Sequence, residues 1–252
     1  MANKIALITG ATSGIGAAFA ENFASQNYDL IITGRREEKI KNFARELMKK
    51  YNIQVEVIIA ELSKNDVLDV LTKKIQDTKN LEILINNAGY AQKRCKFTDA
   101  DIITHENMLT THCLATMKFV YAALPNMLAN KKGTIINVSS PMGFFPFCMQ
   151  SMYASTKAFI ALFTESLNLE LKSTGVKAQA LSPGVTYSDL HGKIWIDEKK
   201  KARSSAWLWQ SPMRPETVVE KSLKCLKKNK ALCIPGFRNK IITMYHSLKR
   251  FF

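Results

Sequence analysis

Tyr153 and Lys157 stand four residues apart in "SMYASTKAF" (151–159), and Ser140 precedes the tyrosine by thirteen. On a helix, residues i and i+4 share a face, so a phenol and an ammonium would meet in an otherwise apolar setting. A free phenol titrates near ~10 and is a poor base at neutral pH. Bringing it to about 7 takes roughly 4 kcal/mol in favour of the phenolate. A neighbouring ammonium supplies part of that by charge proximity. A serine hydroxyl beside the phenol would orient a reacting oxygen. The trio suits proton transfer at a reacting oxygen. The competing reading is a core tyrosine and a lysine that snorkels outward, and YxxxK alone is common by chance.

Two other clusters sit where small residues admit a ligand. "TGATSGIG" (9–16) follows an apolar run and precedes a helical pattern. Gly10 allows a tight turn, Gly14 a close approach of phosphate, and Gly16 packing of the helix on the strand. Thr12, Ser13 and Ile15 complete the loop. The following helix start offers unpaired N–H groups and a partial positive charge to a pyrophosphate. The spacing is GxxxGxG rather than GxGxxG, so the turn is longer than the common dinucleotide fingerprint. "INNAG" (85–89) ends another apolar run. Asn87 can brace neighbouring backbone, and Ala88 and Gly89 leave room for a ribose or flat ring. Alone, it is an ordinary strand-end turn.

The elements that must position these groups follow from periodicity. Strands are expected in "IALITG" (5–10), "YDLIITG" (28–34), "IQVEVIIA" (53–60), "LEILINN" (81–87), "GTIINVSS" (133–140), "VKAQALS" (176–182) and "KALCIPG" (230–236). Helices are expected over 14–26, 37–51, 64–78, 100–130, 151–174 and 215–229. Regular alternation implies a parallel sheet covered by helices on both faces, doubly wound through right-handed crossovers. Ligands of such sheets bind beyond the carboxyl ends of the strands, where every cluster above falls.

Composition narrows the function classes. The 252 residues are 46% hydrophobic, enough for one large core. No run of about 18 uncharged apolar residues is present, so no membrane span is expected. "MANKIALITG" lacks the long apolar centre of a signal peptide. Five scattered cysteines (Cys95, Cys113, Cys148, Cys225, Cys233) suggest neither a disulfide framework nor a metal knuckle. A reducing, cytoplasmic setting and no metal site are the expectation. The net charge is +15, and from Leu190 onward 15 Lys and Arg face 4 Asp and Glu. That asymmetry fits either an acidic partner surface or a solvated one. No groove-reading motif supports nucleic acid as the partner.

Taken together, Gly10, Gly14, Gly16, "NNAG", Ser140, Tyr153, Lys157 and "SPGVTYS" (182–188) resemble the short-chain dehydrogenase/reductase family over about residues 3–190. The resemblance implies a single-domain Rossmann-type sheet over 1–252, seven-stranded, in the order 3-2-1-4-5-6-7. It implies Ser140, Tyr153 and Lys157 as the catalytic set, the lysine also holding a nicotinamide ribose. Pro183, Gly184, Val185 and Ser188 would lie near the nicotinamide. Assembly as homodimers or homotetramers through helices at about 100–130 and 151–174 is usual there. Two positions depart from the family pattern. Where many members carry a catalytic asparagine, thirteen residues before a helix-ending proline (here Pro125), this chain has His112. Either its ring holds a relay water, or the local backbone does so alone, or the ring merely packs. Where an aspartate usually meets the adenine amino group, "AELS" (60–63) offers Glu61, followed by Leu62.

An acid at the end of the second strand would select NAD. Here Gly34 holds that place, followed by Arg35 and Arg36. Guanidinium donors suit a 2′-phosphate, so NADP(H) is favoured over NAD(H), with Arg35 the expected contact. The competing reading is two solvated arginines balancing Glu37 and Glu38. The uncharged run "PMGFFPFCM" (141–149) lines the substrate site by resemblance. Trp195, Trp207 and Trp209 fall in an expected lid over 189–214. The expected function is NADPH-dependent reduction of a hydrophobic ketone or aldehyde, or the reverse. The alternative is a cofactor-binding sensor or scaffold attached through its basic C-terminus. The expected amphipathic helix over 237–252 would either lie on an anionic membrane or dock on protein.

Overall fold

The computed structural model describes residues 3–188 and 212–248. Seven strands form one all-parallel sheet: β1 (Ile5–Ile8), β2 (Asp29–Gly34), β3 (Val55–Ile59), β4 (Leu81–Asn86), β5 (Gly133–Val138), β6 (Val176–Leu181) and β7 (Leu232–Cys233). Their order is β3-β2-β1-β4-β5-β6-β7. The chain reverses its winding direction between β1 and β4, which opens a crevice at their carboxyl ends.

Side chains alternate across the sheet with a period of two. Ala6 and Ile8 point to one core, together with Leu30, Ile32 and Ile85. Leu7, Ile31, Leu84 and Ile135 point to the other. The first core is closed by α1 (Gly14–Ala24), α2 (Glu37–Tyr51) and α7 (Pro215–Lys227), through residues such as Phe19, Phe23, Ile40, Leu47 and Val218. The second is closed by α3 (Asn65–Asp77), α5 (Ala115–Ala129) and α6 (Ser151–Glu170), through Leu71, Phe119 and Leu167. Strands buried on both faces explain the near-continuous apolar runs in the sequence.

Two expected elements differ in the structure. The helix over 100–130 is α4 (Ile102–Leu109), a π-turn (Thr110–Leu114) and then α5. Within the π-turn the Ala115 N–H reaches back five residues to the Thr110 carbonyl. Such single-turn bulges cluster at functional sites, and this one carries His112. Pro125 does not end its helix but lies inside α5. The strand expected over 230–236 pairs only at Leu232 and Cys233, against Ala180 and Leu181, because Pro235 and Gly236 (φ +91°) turn the chain away. The chain then enters α8 (Phe237–Leu248). Among the described residues, no helix is long and apolar enough to cross a membrane.

Candidate active site

The glycine loop leaves β1 with Gly10 at φ +69° and reaches α1 with Gly14 at φ +59°, a region open mainly to glycine. A Cβ on Gly16 would drive into the Gly10 carbonyl oxygen and the Asn87 amide. A Cβ on Gly14 would meet the Ser188 Cβ at 2.8 Å, so Ser188 lies against the loop. Asn87 Nδ2 donates to the carbonyls of Thr9 (3.0 Å) and Gly10 (3.1 Å). In return the Thr9 hydroxyl accepts from the Asn87 and Ala88 N–H groups, both at 3.0 Å. Ser13, at the head of α1, does not cap the helix with its side chain, and no acid occupies the first turn. The helix start keeps its positive end and N–H donors for an anion. A cradle without Cβ atoms at that end fits the pyrophosphate of a dinucleotide.

Ser140 follows β5, and Tyr153 and Lys157 lie on the first two turns of α6. The Ser140 hydroxyl accepts from the Met142 N–H at 3.3 Å and lies near enough to the Tyr153 phenol to favour its phenolate. Lys157 is buried, 5% exposed. Its ammonium donates to the Val138 carbonyl at 3.0 Å and sits 5.7 Å from the Tyr153 ring centroid. The Ser139 hydroxyl donates to the Lys157 carbonyl at 2.6 Å and fastens the helix to β5. Burial pulls the Lys157 ammonium down to about 8. Burial also raises the Tyr153 phenol, with the Ser140 hydrogen bond opposing it. The depressed phenol expected from the sequence is therefore not produced by the protein groups alone. The ammonium lies over the ring, and desolvation disfavours the phenolate more than Ser140 favours it.

His112 is 1% exposed, and both ring nitrogens are engaged. Nε2 accepts from the Tyr90 N–H at 3.1 Å. Nδ1 lies 2.9 Å from the Thr156 hydroxyl, which itself donates to the Tyr153 carbonyl at 3.0 Å. This network assigns the neutral tautomer with its proton on Nδ1. Burial, then the Lys157 charge, hold the imidazole well below its ordinary range. A relay water on a ring nitrogen has no place in this arrangement, because the backbone and Thr156 take both positions. The ring also packs on Gly89, where a Cβ would meet Nε2 at 2.9 Å and lie 3.5 Å from Lys157 Nζ.

At the end of β2 the arginines divide. Arg35 pairs with Glu61 at 3.1 Å, across an exposed gap. Arg36 reaches the loop, donating to the hydroxyls of Thr12 (2.8 Å) and Ser13 (3.1 Å). Arg36 rather than Arg35 thus stands over the glycine loop. Glu61 is turned toward Arg35 and the Ser63 hydroxyl (3.2 Å), and Leu62 is buried beside it. On the other side, Val185 and Tyr187 pair with Met213 through backbone hydrogen bonds of 2.8 and 3.0 Å. Pro183 is buried, and Gly184 is pressed against the Asn239 side chain of α8.

The apolar segment after Ser140 is held from two sides. Phe145 is buried and stacks with His246 of α8 at 4.5 Å. The Met149 carbonyl accepts from the Cys95 N–H at 3.3 Å, and Gln150 Nε2 donates to the Gln92 carbonyl at 2.9 Å. The tryptophans and most of the expected lid lie outside the described residues. A separate cleft of about 810 Å³ opens at the other end of the sheet, by Tyr28, Glu82, Gly133 and Lys177, and holds none of these groups. Among the described residues no group of His, Cys, Asp and Glu is arranged to hold a metal.

The sequence alone did not single out Thr9, Thr156 or Tyr90. Thr9 and Thr156 lie inside quoted motifs, but a hydroxyl gives no periodic signal. The Tyr90 contribution is a backbone N–H, which no side-chain pattern reports.

Residues 4–199 match the short chain dehydrogenase family. The chain is 34% identical over 221 residues to sulfoacetaldehyde reductase 2 of Chromohalobacter salexigens, covering 86% of each chain. It superposes on a short-chain dehydrogenase from Sphingobium yanoikuyae in complex with NADPH with a TM-score of 0.85, at 29% identity, covering 98% of this chain and 93% of that one. A bulky-bulky ketone specific alcohol dehydrogenase from Comamonas testosteroni gives a TM-score of 0.80 at 26% identity, covering 99% and 94%. With the glycine cradle, the serine–tyrosine–lysine cluster and the sheet order in agreement, the chain belongs to the short-chain dehydrogenase family, oxidoreductases acting on CH–OH and C=O groups with a nicotinamide dinucleotide.

Proposed function

We propose that the chain is an NADPH-dependent reductase of hydrophobic ketones or aldehydes. The observation that carries this reading is a buried Lys157 whose ammonium lies 5.7 Å from the Tyr153 ring centroid, with Ser140 near enough to favour the phenolate. Bound in the cleft, the dihydronicotinamide supplies hydride. The pyrophosphate suits the Gly10–Gly16 loop and the start of α1. The ribose suits Lys157, and the nicotinamide suits Asn87–Gly89 and Pro183–Ser188. Ser140 orients the substrate oxygen. Tyr153 gives its proton to that oxygen as charge develops there. A phenol raised by burial stays protonated at neutral pH, the form that a proton donor needs. An uncharged segment held at Phe145 and Met149 favours an apolar carbonyl over an anionic one. Screening hydrophobic ketones and aldehydes against NADPH and NADH, by cofactor absorbance, tests the reading. No oxidation of NADPH with any of them would overturn it.

The 2′-phosphate is assigned to Arg36, Thr12 and Ser13, with Arg35 as a second, displaceable donor. Arg35 and Glu61 are both exposed, and such pairs are weak. NADPH should bind at least tenfold tighter than NADH, about 1.4 kcal/mol, measured by fluorescence titration. Arg36→Ala should remove most of this preference and Arg35→Ala less, each leaving NADH affinity nearly unchanged. Equal affinities in the unsubstituted chain would refute the assignment.

His112 acts as a positioning residue, tying the Gly89–Tyr90 turn to the helix of Tyr153 and Lys157. A glutamine oxygen reaches the place of Nε2, whereas asparagine reaches only that of Nδ1. His112→Gln should hold cofactor affinity within about threefold. His112→Asn and His112→Ala should weaken it roughly fivefold to tenfold, the worth of one hydrogen bond. The pH–rate profile should keep its shape in all three. A displaced profile would restore the relay role.

The exposed apolar side chains Tyr121 of α5 and Phe159, Leu162 and Leu169 of α6 support homo-oligomerisation through these two helices. Charged substitution of Leu162 should lower the mass seen by light scattering.

A further inference from the structure

We propose that α8 docks the protein on an anionic lipid surface. This goes beyond the reductase reading and does not depend on it. A surface helix normally turns its apolar stripe inward, and α8 does the reverse. Phe237, Ile241, Met244, Tyr245 and Leu248 are 78, 45, 61, 51 and 55% exposed. At about 100° per residue they fall within an arc of roughly 100°. The opposite side faces the protein: Ile242 and Thr243 are buried, and His246 stacks on Phe145.

The borders of the stripe are basic. Arg238 flanks it on one side and Lys240 on the other, and both are exposed. Lys249 and Arg250 follow in the sequence, and after Glu220 there are nine Lys and Arg with no Asp or Glu. A second copy meeting this face about a two-fold axis would set the same basic borders against each other. An anionic bilayer complements both parts. The apolar stripe sinks to the acyl boundary while Lys and Arg reach the headgroups. Tyr245 is of the aromatic kind that settles at that level, and Phe237 of the kind that enters the apolar side.

The same helix braces the apolar segment after Ser140. The Ser247 hydroxyl donates to the Phe144 carbonyl at 3.4 Å, and His246 covers Phe145. Docking through α8 would bring the substrate side of the protein next to the lipid.

The test is co-sedimentation of the full chain with vesicles of equal parts phosphatidylglycerol and phosphatidylcholine, against phosphatidylcholine alone. Binding should be at least tenfold stronger to the anionic vesicles and should fall at high salt, where surface charge is screened. Arg238→Gln with Lys240→Gln should weaken it roughly thirtyfold, about fivefold per charge. Ile241→Ser with Met244→Ser should weaken it at least tenfold, with circular dichroism and light-scattering mass unchanged. These four residues lie outside the proposed catalytic and cofactor machinery. Failure of the chain to sediment with anionic vesicles overturns the proposal, as does equal binding to phosphatidylcholine alone. A fall in oligomer mass in the Ile241/Met244 variant overturns it too, since the stripe is then an interface between copies.

Discussion

Tyr153→Phe should lower kcat for carbonyl reduction by roughly 10²–10⁴-fold, the usual worth of a positioned general acid. The substitution deletes one oxygen and keeps the ring. The Lys157 ammonium sits over that ring and is fastened to the Val138 carbonyl rather than to the phenol. The cofactor side of the cleft should therefore be undisturbed, and NADPH affinity should hold within about twofold. Ser140 keeps the Met142 N–H as a donor in the Phe variant, so Ser140→Ala should add little to that variant while costing turnover alone. The two residues act on one oxygen, so their effects should not multiply. Single-turnover kinetics separate this loss from product release. Normal turnover by Tyr153→Phe on a substrate that the parent reduces would sink the mechanism.

The sheet was legible because burial on both faces forces apolar runs that end at turn residues. Gly10 and Gly34 close such runs, and the strands stop at or just before them. Helix continuity was less legible. The break at Thr110–Leu114 inserts one backbone residue without a glycine or proline to mark it. Pro125 invited the opposite error: its ring suggests a stop, yet the helix runs through to Ala129. Packing of Phe119, Ala122, Ala123 and Met127 against the second core holds the segment together, and tertiary context of this kind outweighs local propensity.

At the site, residue types were legible and their pairings were not. Tyr153, Lys157 and Ser140 come together because the spacing of i and i+4, and a strand end beside a helix start, fix them locally. Arg35 and Arg36 differ by one position, and their directions depend on Glu61 and Thr12, which come from other loops. The environment of His112 depends on Tyr90 and Thr156, distant in sequence and contributing a backbone N–H and a hydroxyl. The state of the phenol without cofactor was not legible for a related reason. Charge proximity can be read from spacing, but desolvation depends on everything packed around the group.

Lys157→Met should abolish most activity and yet make the nucleotide-free protein more stable. The ammonium is proposed to hold the cofactor ribose and to keep positive charge beside Tyr153, so kcat/KM should fall by at least about 10³-fold, with NADPH affinity reduced as well. Stability should move the other way. Burial lowers the lysine from 10.5 to about 8, a gap of roughly 3 kcal/mol against the folded state when both states are charged. Methionine has similar length and no charge. It gives up the hydrogen bond to Val138, about 1 kcal/mol, leaving a gain near 2 kcal/mol. For a chain of this size that is roughly 4–8 °C in Tm. The pH dependence identifies the cause. Between pH 8 and 10.5 the unfolded chain keeps the lysine proton and the folded chain releases it. Parent stability therefore rises with pH across that window relative to the variant. The Tm difference should be constant below about pH 8 and shrink above it. Over the same rise, loss of the ammonium should reduce parent kcat/KM, and no matching inflection should remain in the variant. A Lys157→Met protein less stable than its parent at pH 7 would mean that the ammonium is better solvated in the cleft than its burial implies.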